Sequence, residues 1–166
     1  MSKLRIVGSV MAGVIALSAI AAPAAVAGGR PLKAILSGAN EVPGPGDPDG
    51  SGKAKLRLNQ GRQRICYKIV VADIEAPTAA HIHEGDVDTP GPVVVNLAPT
   101  FVDGVAKACV TGVDKWLIRD IRKNRADYYV NVHNLEFEAG AIRGQLEKWA
   151  PGRKHRHGPF ATQAGR

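Results

Sequence analysis

Gly52-Lys53-Ala54-Lys55-Leu56-Arg57-Leu58-Asn59, Gln60-Gly61-Arg62 and Gln63-Arg64-Ile65-Cys66-Tyr67-Lys68-Ile69-Val70-Val71-Ala72 follow one another without a gap. In the first segment Ala54, Leu56 and Leu58 alternate with Lys53, Lys55 and Arg57. Side chains in an extended strand point to opposite faces with period two, so one face is apolar and the other basic. The third segment repeats the period, with Ile65, Tyr67, Ile69 and Val71 on one face. A short polar turn containing glycine lies between them. This pattern predicts a hairpin with one buried and one solvated face, the mark of an antiparallel sheet.

Working outward, residues 31–37 read as a first strand, followed by a loop over 38–51. That loop holds Gly44-Pro45-Gly46-Asp47-Pro48-Asp49-Gly50, a composition that continues neither strand nor helix. Downstream, strands are expected over 78–83, 93–97, 104–111, 127–133 and 141–149. One helix is expected over 114–124. Asp114 caps its N-terminus, Val113, Leu117 and Ile121 with Ile118 form its apolar stripe, and the basic residues near its C-terminus suit the helix dipole. The sum is an all-β chain: an antiparallel Greek-key β-sandwich of about eight strands with one short helix.

The ends differ from this body. Lys3 and Arg5, an apolar run over 6–20 and Ala25-Val26-Ala27 make residues 1–27 a signal peptide. The run is too short and too rich in alanine for a stable membrane anchor. The domain is expected over 28–150, and 151–166 as a disordered basic tail. The chain's formal charge is +7; with Lys3 and Arg5 in the leader and Arg153, Lys154, Arg156 and Arg166 in the tail, the body carries +1. The basic pI therefore does not mark the body as a nucleic-acid binder. An exported protein meets oxidising conditions, so Cys66 and Cys109 are expected to form a disulfide. The location is secreted or periplasmic.

Chemistry concentrates in Ala80-His81-Ile82-His83-Glu84-Gly85 and Tyr129-Val130-Asn131-Val132-His133. Strand parity puts His81 and His83 on one face, with Ile82 on the other. It also separates Asn131 and His133 from Val130 and Val132. If the two strands are close, His81, His83 and His133 converge on a candidate metal site, suited to copper or zinc with one coordination position open. Glu84 or Asp86 is placed to add a carboxylate nearby. The competing reading is three histidines hydrogen-bonded on a polar sheet face. The acidic loop lacks the spacing of a calcium loop, no nucleophile triad stands out, and Gly-x-Gly-x-x-Gly before a helix is absent.

Asn40-Glu41-Val42-Pro43, Ala80-His81-Ile82-His83-Glu84-Gly85, Gly91-Pro92-Val93-Val94, Tyr129-Val130-Asn131-Val132-His133 and Gly140-Ala141-Ile142-Arg143-Gly144-Gln145-Leu146 together resemble the CHRD (chordin-type) domain. The resemblance spans about residues 31–147 and implies an exported β-rich domain of the microbial stand-alone type. A more distant resemblance is to copper–zinc superoxide dismutases, which use a His-x-His strand, a later histidine strand and an arginine that guides the anionic substrate. By motif, His81 and His83 correspond to the pair, His133 to the later ligand and Arg143 to the arginine. The body lacks a fourth histidine and a histidine-rich zinc loop, which argues against a two-metal site. Three functions follow as alternatives: a binding module holding one transition-metal ion, a copper-dependent superoxide-dismutase-like enzyme, or a metal-free structural protein with an extracellular protein partner. Glu84 and Arg143 stand beside the imidazoles or face an anion; the competing reading of Arg143 is a brace that holds a neighbouring loop through a bidentate carboxylate pair, and no catalytic residue is assigned.

Overall fold

The hairpin forms as its alternation requires. In the computed structural model, which describes residues 30–149, β2 (Ser51–Asn59) and β3 (Arg64–Ala72) pair antiparallel along their whole length. Ala54, Leu56, Leu58, Ile65, Tyr67, Ile69 and Val71 are buried. The expected leader over 1–27 and tail over 151–166 lie outside the described residues.

The other strands are β1 (Arg30–Ser37), β4 (Ala79–Glu84), β5 (Val93–Asn96), β6 (Val105–Thr111), β7 (Tyr128–His133), β8 (Ile142–Gln145) and β9 (Glu147–Lys148). Their order is β5-β4-β7-β8-β1-β2-β3-β6, with β9 also on β1. All pairings are antiparallel. The halves β5-β4-β7-β8 and β1-β2-β3-β6 are joined between β8 and β1 by the single pair Ser37↔Arg143. The chain crosses from one half to the other after β3, after β5, after β6 and, at β9, after β8. This is the all-β antiparallel class expected from the sequence. Buried side chains of both halves, among them Leu36, Leu56, Ile69, Ile82, Val130 and Ile142, form one core.

On the far side, the outer strands β5 and β6 do not pair with each other. An open hollow of about 390 Å³ lies between them, lined by Val94, Val95, Val110, Val113 and Leu117 among others. The helix α1 (Lys115–Lys123) begins at this seam. Asp114 caps it, its carboxylate accepting from the amides of Trp116 (2.7 Å) and Leu117 (2.9 Å). Ile118 and Ile121 are fully buried, so the expected apolar stripe seals one end of the core.

One expected strand is divided. Residues 141–149 are not continuous: β8 pairs with β7, and β9 pairs with β1. Leu146 lies between them, 2% exposed, and its amide donates to the Tyr128 carbonyl at 2.8 Å. The inward parity of Ile142, Gly144 and Leu146 is kept, so the apolar pattern reads as one strand while the hydrogen-bonding partner changes. Cys66 and Cys109 lie opposite each other in the β3–β6 register and form the expected disulfide.

Candidate metal centre

Strand parity sends Ala80 and Ile82 of β4 and Val130 and Val132 of β7 into the core, each with no exposed area. His81, His83, Tyr129, Asn131 and His133 therefore belong to the outer face of this half. The register places Ala79 opposite His133, His81 opposite Asn131 and His83 opposite Tyr129. Asn131 is also opposite Arg143 of β8. The three histidines, distant in sequence, thus fall on adjacent rows of two paired strands.

Their ring centroids are 5.0 Å apart for His81–His133, 5.7 Å for His81–His83 and 6.3 Å for His83–His133. One nitrogen from each lies within 4.8 Å of the others. The remaining contacts set which nitrogen is free. His83 Nδ1–H donates to the Gly91 carbonyl at 2.8 Å, and His133 Nδ1–H donates to the Glu138 carbonyl at 2.9 Å. A carbonyl only accepts, so in the neutral rings both Nε2 atoms keep their lone pairs. His133 Nε2 is 3.1 Å from His81 Nδ1. His83 Nε2 is buried and has no partner among the protein atoms.

Burial is the largest influence on all three rings and pushes each pKa below the ordinary histidine value. At His81 the neighbouring His133 and His83 push the same way. At His83 the Gly91 carbonyl pulls upward, against His133 and Arg143. At His133 the Glu138 carbonyl pulls upward. The balance favours neutral imidazole, the form that coordinates metals.

The loop that follows β4 closes over this face. Gly91 lies against the Glu84 carbonyl so closely that a Cβ would overlap it, so glycine is needed for its carbonyl to reach His83. The Gly91 amide donates to Tyr129 Oη at 3.1 Å, and the Tyr129 ring stacks on His83 with centroids 4.7 Å apart and planes 11° apart. Arg143 holds the same loop. Its Nη2 donates to the carbonyls of Asp86 and, at 3.0 Å, Thr89, while the guanidinium carbon lies 3.5 Å from the Tyr129 ring centroid. Arg143 is 1% exposed.

The expected ligand trio is therefore brought together, whereas the other two expected residues stand elsewhere. By strand alternation Glu84 belongs to the row of Ile82, not that of the histidines, and it is exposed. The Asp86 carboxylate is held by the Asp88 amide at 3.1 Å and by Thr89, while its carbonyl accepts from Arg143. Arg143 itself serves as a buried brace: it holds carbonyls instead of the carboxylate pair that arginine commonly forms.

Glu41 is a further member of this polar layer, not expected from the histidine motifs. It is 7% exposed, and Oε2 accepts from Asn131 Nδ2 at 3.3 Å. Burial raises its pKa from 4.5 to about 7, against the lowering effect of Arg143 and Asn131. Gly140 presses against both groups, and a Cβ there would overlap the carboxylate. The available signal was an acid within Asn40-Glu41-Val42-Pro43, followed by an X-Pro restriction that holds the backbone extended.

Compared with known proteins, the chain matches the family model described as the CHRD domain over residues 32–146. No curated protein matches.

Proposed function

This chain belongs to the CHRD domain family, and from that premise we propose that it is an extracytoplasmic binding module that holds one transition-metal ion, copper or zinc, on His81, His83 and His133. The observation carrying this reading is the 3.1 Å separation of His81 Nδ1 and His133 Nε2. Two nitrogens each about 2.0–2.1 Å from one ion stand roughly 2.9–3.4 Å apart for angles between square and tetrahedral. The carbonyls of Gly91 and Glu138 lend support, because they fix His83 and His133 with Nε2 free, as outer partners do for ligating histidines. His83 completes the trio after a small side-chain adjustment, since the 4.8 Å spread of the three nitrogens is wider than one coordination shell.

Without metal, His81 Nδ1–H donates to His133 Nε2, and the pair is a hydrogen bond. With metal, the His81 proton moves to Nε2 and both lone pairs face the ion. Copper-dependent superoxide turnover needs more than this trio. The arginine that the motif assigns to substrate guidance is buried and braces a loop. A binding role is accordingly the better supported of the two. The Cys66–Cys109 disulfide suits an oxidising compartment.

The test is titration of the metal-stripped full chain with Cu²⁺ and Zn²⁺ by calorimetry, with nitrogen superhyperfine structure for copper. One ion per chain is expected, with three-nitrogen coordination. His133→Ala and His83→Ala should each weaken binding at least about tenfold while the protein stays folded. No stoichiometric binding of either metal, or unchanged affinity in His133→Ala, would overturn the reading.

A further inference from the structure

The opposite outer face, on the half β1-β2-β3-β6, carries a pattern visible only with the strand register. Lys33 of β1 is opposite Lys55 of β2, Lys55 is opposite Lys68 of β3, and Lys68 is opposite Lys107 of β6. Four lysines thus form one straight row across four strands. At about 4.8 Å per strand the row spans about 14 Å. Lys53 and Arg57 flank it on β2, both exposed. Like charges directly opposite each other destabilise a sheet, and this row repeats that contact three times. Lys33 is relieved by Glu147 at 3.0 Å. Among the described residues, Lys53, Lys68 and Lys107 have no ion pair.

None of β1, β2, β3 and β6 carries an acid, and Glu147 comes from β9. Asp47, Asp49, Asp73, Glu75 and Glu136 line a separate hollow of about 430 Å³. The near-neutral body is therefore an average over segregated charges, with a concentrated cationic field on this sheet face. Trp149 adds a flat apolar ring, with Lys55 Nζ 4.7 Å and Arg57 Cζ 5.8 Å from its centroid.

We propose that this face docks a linear acidic polysaccharide with a carboxylate on each sugar, laid along the lysine row with a sugar ring against Trp149. Cations evenly spaced at about 4.8 Å match an extended chain with one charge per pyranose-sized repeat. Duplex DNA carries a charge about every 1.7 Å along its axis, a spacing far closer than the roughly 4.8 Å between lysines of the row. A bilayer calls for a contiguous apolar surface, and here Ile35 and Val70 are separated by Lys53 in their row.

The test uses the full chain and a polygalacturonate oligomer, by calorimetry at low salt. Lys55→Gln/Lys68→Gln/Lys107→Gln is expected to weaken binding at least about tenfold, and wild-type affinity to fall steeply with salt. Lys115→Gln/Arg119→Gln/Lys123→Gln removes the same charge from α1 and is expected to stay within about twofold of wild type. The thermal midpoint of the row variant should not fall, because repulsion is removed. Should that variant fail to fold, Lys68→Gln alone is expected to weaken binding about threefold. Undiminished binding by the row variants, an equal loss in the helix variant, or tighter row-dependent binding of duplex DNA or phosphatidylglycerol vesicles would each overturn the proposal.

Discussion

The two outer faces of this sandwich are made from the same kind of alternating strand and end up as opposites. On β4-β7-β8 the outward side chains include His83, Tyr129, Asn131 and Arg143, all four buried: the loop after β4 is held on His83, Tyr129 and Arg143, and Glu41 and Gly140 lie against Asn131. On β1-β2-β3-β6 the outward side chains include Lys33, Lys53, Lys55, Lys68 and Lys107, and nothing among the described residues covers Lys53, Lys68 or Lys107. The covered face commits its polar groups to fixed geometry, tautomer included. The bare face keeps flexible charges that define a field and no single pose. Preorganised binding of a small ion suits the first, and electrostatic capture of a long polymer suits the second.

The contrast breaks most severely if the roof is released. Arg143→Ala removes the brace on Asp86 and Thr89 and leaves Glu41 buried without its cation. We expect a loss of about 3 kcal/mol or more in chemical denaturation, with protease cleavage appearing first in the loop over 85–92. A loss within about 0.5 kcal/mol, the range of an ordinary surface change, would make the brace incidental.

The next effect belongs to the bare face. Cys66→Ser/Cys109→Ser opens a cross-link over a sequence separation of 43. By the chain-entropy estimate the loss is about 4 kcal/mol, and about 2–4 is usual once residual structure intervenes. Amide exchange should report opening confined to β6, the edge strand.

A change of pH tests the covered face by its slope. Glu41 is raised in the folded state from 4.5 to about 7, so between those values the native state binds more protons than the unfolded one. Its contribution is full below pH 4.5 and is lost as pH rises through about 7. The three histidines are lowered, so their contribution is present above 6.5 and is lost as pH falls through their folded values. Glu41→Gln should flatten the decline toward neutral pH and leave the acid limb in place. Denaturation midpoints across pH 4–8 check this, and an unchanged upper limb would remove Glu41 from the balance.

The smallest effect has the opposite sign. Lys68→Gln deletes a cation that faces two others, and should stabilise the protein by about 0.2–1 kcal/mol at low salt, fading as salt is added. Destabilisation at low salt would mean that the row is not repulsive.

Much of this is legible in the sequence. The period-two pattern of Lys53 to Leu58 and Ile65 to Val71 led to the hairpin, and Asp114 marked the start of the helix. The parity of His81, His83 and His133 assigned them to one face. These are local properties of a strand or a helix turn. Properties of register were hidden: no spacing along the chain says that Lys33, Lys55, Lys68 and Lys107 line up. Changes of partner were hidden as well, since Ile142 to Leu146 keeps its inward parity while its hydrogen bonds pass from β7 toward β1. A loop-holding role for Arg143 is legible as an alternative to anion guidance, but its partners are not: the carbonyls of Asp86 and Thr89, far along the chain, stand where a carboxylate pair is expected. Its role depends on where a loop folds back, and that is decided by Gly91 fitting against Glu84.

The Cys66–Cys109 cross-link lies one row from the aligned lysines, between β3 and the marginal strand that carries Lys107. It acts as a rivet where mutual repulsion would otherwise peel the outermost ribbon away. Thiol reductant should therefore blunt polyanion capture by shedding one end of the cationic track, while ion uptake on the roofed side continues. Redox state would then govern one of the protein's two surfaces and spare the other.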